Sequence, residues 1–260
     1  MEVSMGLDIY SGPLCRYYSG DWETENARAS REGGFRHASL RPQPWAFARP
    51  AEAREDIEDW RIWLQQEWRP ALIRGELFWA EDEGLPYLTY KIDYEGLHSL
   101  VFFLCCLQSP GYKRPERLPE DFEHSLVYNS ACGDYTASHL AALEAHAYLP
   151  SQEDFLVPME DPVGNEIFIT STSRLRSALD WINARAWNAD RETLEAWLRG
   201  HLPADALLEL DRAGDLCIVD ASQHIRNNDR LEHAAQYAFA VLSRMLAFSE
   251  QHNVPIRYDW

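Results

Sequence analysis

The sequence predicts an α+β fold: a single compact domain over residues 1–260, with a mixed sheet, several amphipathic helices and a long C-terminal helix. Three observations carry this expectation. Short segments with the two-residue alternation of strands are interspersed with helical-period segments in no regular βαβ order, which argues against a doubly wound sheet. No linker, internal repeat or low-complexity tract interrupts the chain. A content of 46% hydrophobic residues, with 12% aromatics, is enough over 260 residues to bury a substantial core.

The elements follow in chain order. Gly6 to Tyr10 alternates, with Leu7 and Ile9 on one side and Asp8 and Tyr10 on the other, as a half-buried strand does, and Gly12-Pro13 then turns the chain. Residues 33–50 hold prolines and arginines without periodicity and read as a loop packed over the body. Ala51 to Trp68 reads as an amphipathic helix with the stripe Ile57, Trp60, Leu64 and Trp68, and the acids Glu52, Glu55, Asp56, Glu58 and Asp59 suit the positive end of its dipole. Leu85 to Asp93 alternates again, Gly96 to Leu107 is apolar nearly all round and reads as a buried helix, and Asp134 to Leu149 is a further helix candidate.

After the turn at Asp161, Pro162, Val163, Gly164 and Asn165, Glu166 to Thr170 reads as a short strand. Leu175, Ala178, Leu179 and Ile182 form one helical stripe, and Leu194, Trp197 and Leu198 form another before a stop at Gly200. Asp229 with Glu232 resembles a capping box opening the longest helix, whose stripe runs Leu231, Ala235, Ala238, Leu242, Met245 and Ser249 until Asn253 and Pro255 end it.

Composition limits the function. The net charge is −18, with 42 acidic against 24 basic residues, so nucleic acid is not an expected partner and a basic protein is. Five cysteines without CxxC spacing fit reduced thiols in a cytoplasm. The N-terminus lacks a cleavable signal pattern, and the longest apolar run, Leu100 to Leu107, is too short to span a bilayer. No membrane partner is expected; export by a route that cleaves no signal stays compatible with the sequence.

Motifs for dinucleotide, P-loop, GxSxG or HExxH chemistry do not occur, so no catalytic residue, metal ligand or cofactor is assigned. His139 and His146, seven residues apart, lie about 10.5 Å apart along a helix and cannot ligate one ion together. Cys132 with His139 is a weak nucleophile–base candidate, Cys105-Cys106 fills core, Glu81-Asp82-Glu83-Gly84 reads as a solvated turn, and Asp8 with Asp21 is a carboxylate pair only if the two meet.

The stretch MGLDIYSGPLCRYYSGDWET, from Met5, resembles the start of a group of bacterial proteins that open MGLDIY, followed by a small-residue turn, RYY and a tryptophan. Some of that group look like immunity proteins encoded beside polymorphic or type VI secreted toxins. The matching residues are Met5, Gly6, Leu7, Asp8, Ile9, Tyr10, Arg16, Tyr17, Tyr18 and Trp22, and the resemblance also admits Met5 as the start of translation. It implies a cytoplasmic immunity protein that binds and neutralises a cognate toxin domain with a basic surface. An unrecognised acid/base hydrolase and an adaptor of a secretion system are the alternatives. The opening segment is expected either to pack a layer with its tyrosines' polar tips outward and Arg16 paired with Asp8 or Asp21, or to form a pocket. The partner face is expected at Glu52, Glu55, Asp56, Glu58, Asp59, Glu81, Asp82 and Glu83, because residues 51–100 hold 12 acidic against 5 basic side chains.

Overall fold

A computed structural model of the chain describes residues 7–34, 46–67, 77–92, 94–133, 139–201, 208–210, 216–218 and 230–259. Met5, Gly6, Trp68, residues 134–138 and Asp229 lie outside these ranges, together with most of the expected 33–50 loop. The fold is α+β, with a six-stranded mixed sheet and a long C-terminal helix. The described residues divide into two compact units, one built from Leu7–Lys91, Asp134–Asp180 and Ser243–Trp260, the other from Ile92–Gly133 and Trp181–Leu242. Each is assembled from separated stretches of chain, so no linker composition marks the division.

The first unit carries the sheet. Its strands are β1 Leu7–Ser11, β2 Leu88–Ile92, β3 Ala147–Leu149, β4 Leu156–Glu160, β5 Glu166–Ser171 and β8 Ile256–Asp259, in the order β2-β1-β8-β3-β5-β4. β8 runs antiparallel to both β1 and β3, β3 runs parallel to β5, and β4 and β5 form a hairpin. The hairpin turns at Asp161, whose carboxylate accepts the backbone N–H groups of Val163 and Asn165 while Gly164 takes φ 83°. The helices of this unit are α1 Leu14–Ser19, α2 Glu25–Glu32, α3 Pro50–Glu67, α6 His139–Leu143 and the start of α7 Thr172–Ala186.

β1 corrects the half-buried expectation. Leu7, Ile9 and Tyr10 are all fully buried, because β1 has a neighbour on each side and packing on both faces. In the antiparallel pairing with β8, Tyr10 lies opposite Arg257 and Ile9 opposite Tyr258, so Tyr10 and Arg257 share one face while Ile9 and Tyr258 share the other. A second correction concerns Asp134 to Leu149. Its described part is the short helix α6 followed by strand β3, since Ala147, Tyr148 and Leu149 continue the sheet and are buried on both sides.

The second unit holds α4 Tyr94–Gln108, a 3-10 turn Phe122–His124, α5 Leu126–Ala131, α8 Arg191–His201, the hairpin β6 Leu208–Leu210 with β7 Leu216–Ile218, and most of α9 Leu231–His252. α4 is buried from Gly96 to Cys106 apart from His98, as its apolar run predicts. Trp187 sits at the centre of an aromatic group, stacked on Phe103 at 4.7 Å and edge-on to Phe239 and Trp197. Its indole N–H donates to Glu232, whose carboxylate also meets Arg114. The stripes expected on α7 and α9, Leu175, Ala178, Leu179 and Ile182 in one and Leu231, Ala235, Ala238, Leu242, Met245 and Ser249 in the other, are all buried.

Candidate functional site

The opening segment is the centre of a core rather than a lining of open space. After β1, Gly12 brings the chain so close that a Cβ there would lie 2.5 Å from the Tyr10 hydroxyl and 2.7 Å from Tyr87 Cβ. Pro13 then opens α1, and Gly20, at φ 71°, closes it in the left-handed conformation with its N–H on the Tyr17 carbonyl. This short helix delivers Tyr17 and Tyr18 onto the Tyr10 face of the sheet. Tyr10, Tyr17, Tyr18 and Trp22 join Ile57, Trp60, Leu64, Trp79, Phe155 and Ile169 in one buried cluster. Tyr10 lies 5.0 Å from Trp22 and 5.5 Å from Tyr17 between ring centres.

The polar tips of these rings point inward, contrary to the sequence expectation, and each finds a partner. The Tyr10 hydroxyl donates to the Pro13 carbonyl, Tyr17 to Asp259 at 2.8 Å, Tyr18 to Asp161 at 3.1 Å, and the Trp22 indole to the Tyr17 carbonyl. Asp161 also takes a 2.9 Å bond from the buried Arg257, whose guanidinium lies 5.6 Å from the Tyr17 ring. Inward tips cost nothing further once the carboxylates and carbonyls of neighbouring elements satisfy them. Burial pushes the phenols of Tyr10, Tyr17 and Tyr18 above their ordinary range. Arg16 stays at the edge, paired with Asp21 at 3.0 Å and laid over the Tyr87 ring at 4.5 Å. Asp8 lies opposite Asp259 in the strand register.

Glu81 departs furthest from expectation. Placed by sequence in an exposed acidic turn, it is buried, and its two oxygens accept the N–H groups of Leu14, Cys15 and the Trp79 indole at 3.0, 2.9 and 2.5 Å. α1 has no side-chain cap of its own, since the residue before it is Pro13. Glu81 supplies from 66 and 67 residues away what a local cap ordinarily would. Burial raises its carboxyl above the usual carboxylate range against the pull of these donors, and Cys15 beside it is raised to about 12, chiefly by burial. A thiol so raised stays protonated and is a poor nucleophile.

The remaining acidic positions do lie at the surface. Glu52, Glu55, Asp56, Glu58 and Asp59 are exposed on α3 while Ala53, Ile57, Trp60 and Leu64 face inward, and Asp82 and Glu83 are exposed in the turn after Glu81. Glu52 pairs with Arg49. Among the described residues Glu55, Asp56, Glu58 and Asp59 form no ion pair. α3 begins at Pro50, so the helix dipole favours Glu52 in the first turn and hardly reaches the other four. Spacings of three and four residues between Glu52, Glu55, Asp56 and Asp59 make them mutually repulsive neighbours on one stripe. Arg54 and Arg61 stand four residues before and three after Glu58 on the same helix, whereas Glu55, Asp56 and Asp59 have no cation at these spacings.

Two features lie outside the sequence expectations. Ile62 and Trp63 continue the same stripe beyond Asp59 and are 49% and 42% exposed, while Phe78, beside α3, is 58% exposed. Their helical spacing from Asp59 was the available signal. Elsewhere, a cleft of about 550 Å³ in the second unit is lined by Lys113, Arg114, Pro115, Glu116, Arg230 and Glu232. Its charges are largely matched internally by Arg114–Glu232 and Arg230–Glu116. His139 opens α6, His146 accepts the Phe168 N–H on Nδ1, and Cys132 caps the end of α5 half-exposed. Among the described residues no three His, Cys, Asp or Glu side chains gather in a way that would hold a metal ion, and no helix is long and apolar enough to cross a membrane. Comparisons with protein-family models, curated proteins and solved structures find no match to this chain.

Proposed function

We propose that this protein is a cytoplasmic immunity protein that binds and neutralises a toxin domain with a basic surface, through the acidic stripe of α3. The observation that supports this is the run of Glu55, Asp56, Glu58 and Asp59, exposed side by side in the middle of a helix and forming no ion pair among the described residues. Like charges at these spacings cost the helix a few tenths of a kcal/mol per pair. A basic partner recovers that cost on binding and gains association rate from the complementary field. The resemblance of the opening segment to proteins that look like immunity proteins agrees with this reading. That segment then builds the body that holds α3, and α3 makes the contact.

The test is neutralisation. The gene for this chain is expected immediately downstream of a toxin gene, and cells producing that toxin domain should survive when the chain is co-produced and die when it is not. Continued death in the presence of the folded chain would reject the proposal.

A further inference from the structure

We propose that the outer face of the β4–β5 hairpin, formed by Pro158, Phe168, Glu160 and Glu166, docks an extended basic segment of the partner that also carries an apolar side chain; this rests on the reading of the chain as a toxin-binding protein. The strand register puts these four side chains on one surface. Pro158 lies directly opposite Phe168 and Glu160 directly opposite Glu166, and residues two apart along a strand share a face. The Phe168 N–H donates to His146 Nδ1 and its carbonyl accepts from the His146 N–H, so both turn away from β4. The pair with Pro158 therefore exchanges no ladder bonds, and the side chains of such pairs stand closest. All four residues are exposed, Phe168 at 42%. Val157, Met159, Ile167 and Ile169, which alternate with them, are buried in the cluster that also holds Ile57, Trp60 and Leu64 of α3. The open face looks away from α3, so a partner touching both reaches around the β4 edge.

Charge and edge geometry select the occupant. Like charges directly opposite each other destabilise a strand pair, yet Glu160 and Glu166 form no ion pair among the described residues, and no Lys or Arg occurs from Phe155 to Ser173. Burial and the nearby Arg257 hold the His146 imidazole, stacked on Phe168, below its ordinary value, so at neutral pH it adds no charge. A Lys or Arg beside an apolar side chain matches both halves of this face. Addition of a further strand at β4 is blocked. Pro158 has no N–H, and the Glu160 carbonyl, which the same alternation turns to the outer edge, is taken by the Trp60 indole at 2.9 Å. The occupant therefore lies across the face. A second copy of this chain is disfavoured, because a two-fold contact would set Glu160 and Glu166 against the same pair.

Binding of the toxin domain encoded beside this gene is measured for wild type, for Phe168→Ala and for the double variant Glu160→Gln with Glu166→Gln, each protein also being melted and sedimented alone. Phe168→Ala should raise Kd about tenfold. The double variant should raise it by a similar factor at low ionic strength and by little near 1 M salt, where charges are screened. It loses a like-charge contact, so it should melt no lower than wild type while binding more weakly. If wild type binds and both variants bind as tightly, the hairpin face is not a docking surface and the immunity reading stands. If wild type does not bind the toxin domain, both fall. If wild type sediments as a dimer that Phe168→Ala disperses, the occupant is a second copy and the proposal is overturned.

Discussion

At the scale of single residues, a carboxylate's place in this fold depends on where it finds hydrogen-bond donors. Glu81 stands in a run of three acids that looks like a solvated turn, yet it alone is folded inward, because three N–H groups at the start of α1 and on Trp79 converge on it. Removing it leaves these buried donors unmatched. Glu81→Ala should lose at least about 3 kcal/mol of stability, and Glu81→Gln, which keeps one accepting oxygen, should lose less, about 1–2 kcal/mol. Urea denaturation at neutral pH checks both, and an alanine variant within about 0.5 kcal/mol of wild type would mean that Glu81 does not cap α1. Asp82 and Glu83, its neighbours, should tolerate the same change. Local spacing cannot distinguish the three, because the donors that select Glu81 come from residues 14, 15 and 79, and two of these are remote in sequence. The pairing of Arg16 with Asp21, in contrast, was among the two options legible from the opening segment alone.

Elements with a strong period were legible, and those made by tertiary pairing were not. The helices α3, α4, α7 and α9 and the strands β1, β2 and β5 lie within a few residues of their predicted spans, although in β2 Thr89 is buried while Leu88 and Tyr90 are only partly so. β4, with Pro158 at its middle, reads poorly as a strand but is tolerated at the sheet edge, where its missing N–H costs no ladder bond. β3 and β8 have only three and four residues and exist because β1 and β5 flank them. α1 was missed because its cap is remote. The packing of α1 onto β1 and β8 also sets a pH limit. Burial raises the phenols of Tyr10, Tyr17, Tyr18 and Tyr258 above their ordinary value of 10.0, so as pH passes 10 the unfolded chain loses these protons first and the folded state binds more of them. Their contribution is complete below that pH and declines above it, by up to about 1.4 kcal/mol per pH unit for each tyrosine. Denaturation midpoints followed from neutral to strongly alkaline pH should fall steeply past 10, with phenolate absorbance appearing together with unfolding. Phenolate absorbance of these residues rising near pH 10 in a protein that remains folded would show the ring cluster to be open to water.

For the molecule as a whole, composition already implied a basic partner, and the uneven charge pointed to residues 51–100, where 12 acidic residues face 5 basic ones. Of the acidic positions in that stretch Glu81 turns inward, while Glu55, Asp56, Glu58 and Asp59 on α3 and Asp82 and Glu83 in the turn remain outside, and the proposed function places the partner on the α3 face. The exposure of Ile62 and Trp63 was not noted, because the stripe read from sequence, Ile57, Trp60, Leu64 and Trp68, fixes only the buried side of the helix. The aromatic opening segment is buried in the core of the first unit. The most direct measurement of this division is the association rate between the chain and its neighbouring toxin domain, for wild type and for a variant with Glu55, Asp56 and Asp59 all changed to Lys. Both proteins are first shown to fold alike by circular dichroism. At low ionic strength the variant should associate at least about tenfold more slowly than wild type, and near 1 M salt, where charges are screened within about 3 Å, the two rates should converge. Equal rates at low ionic strength would contradict the account and remove α3 from the interface.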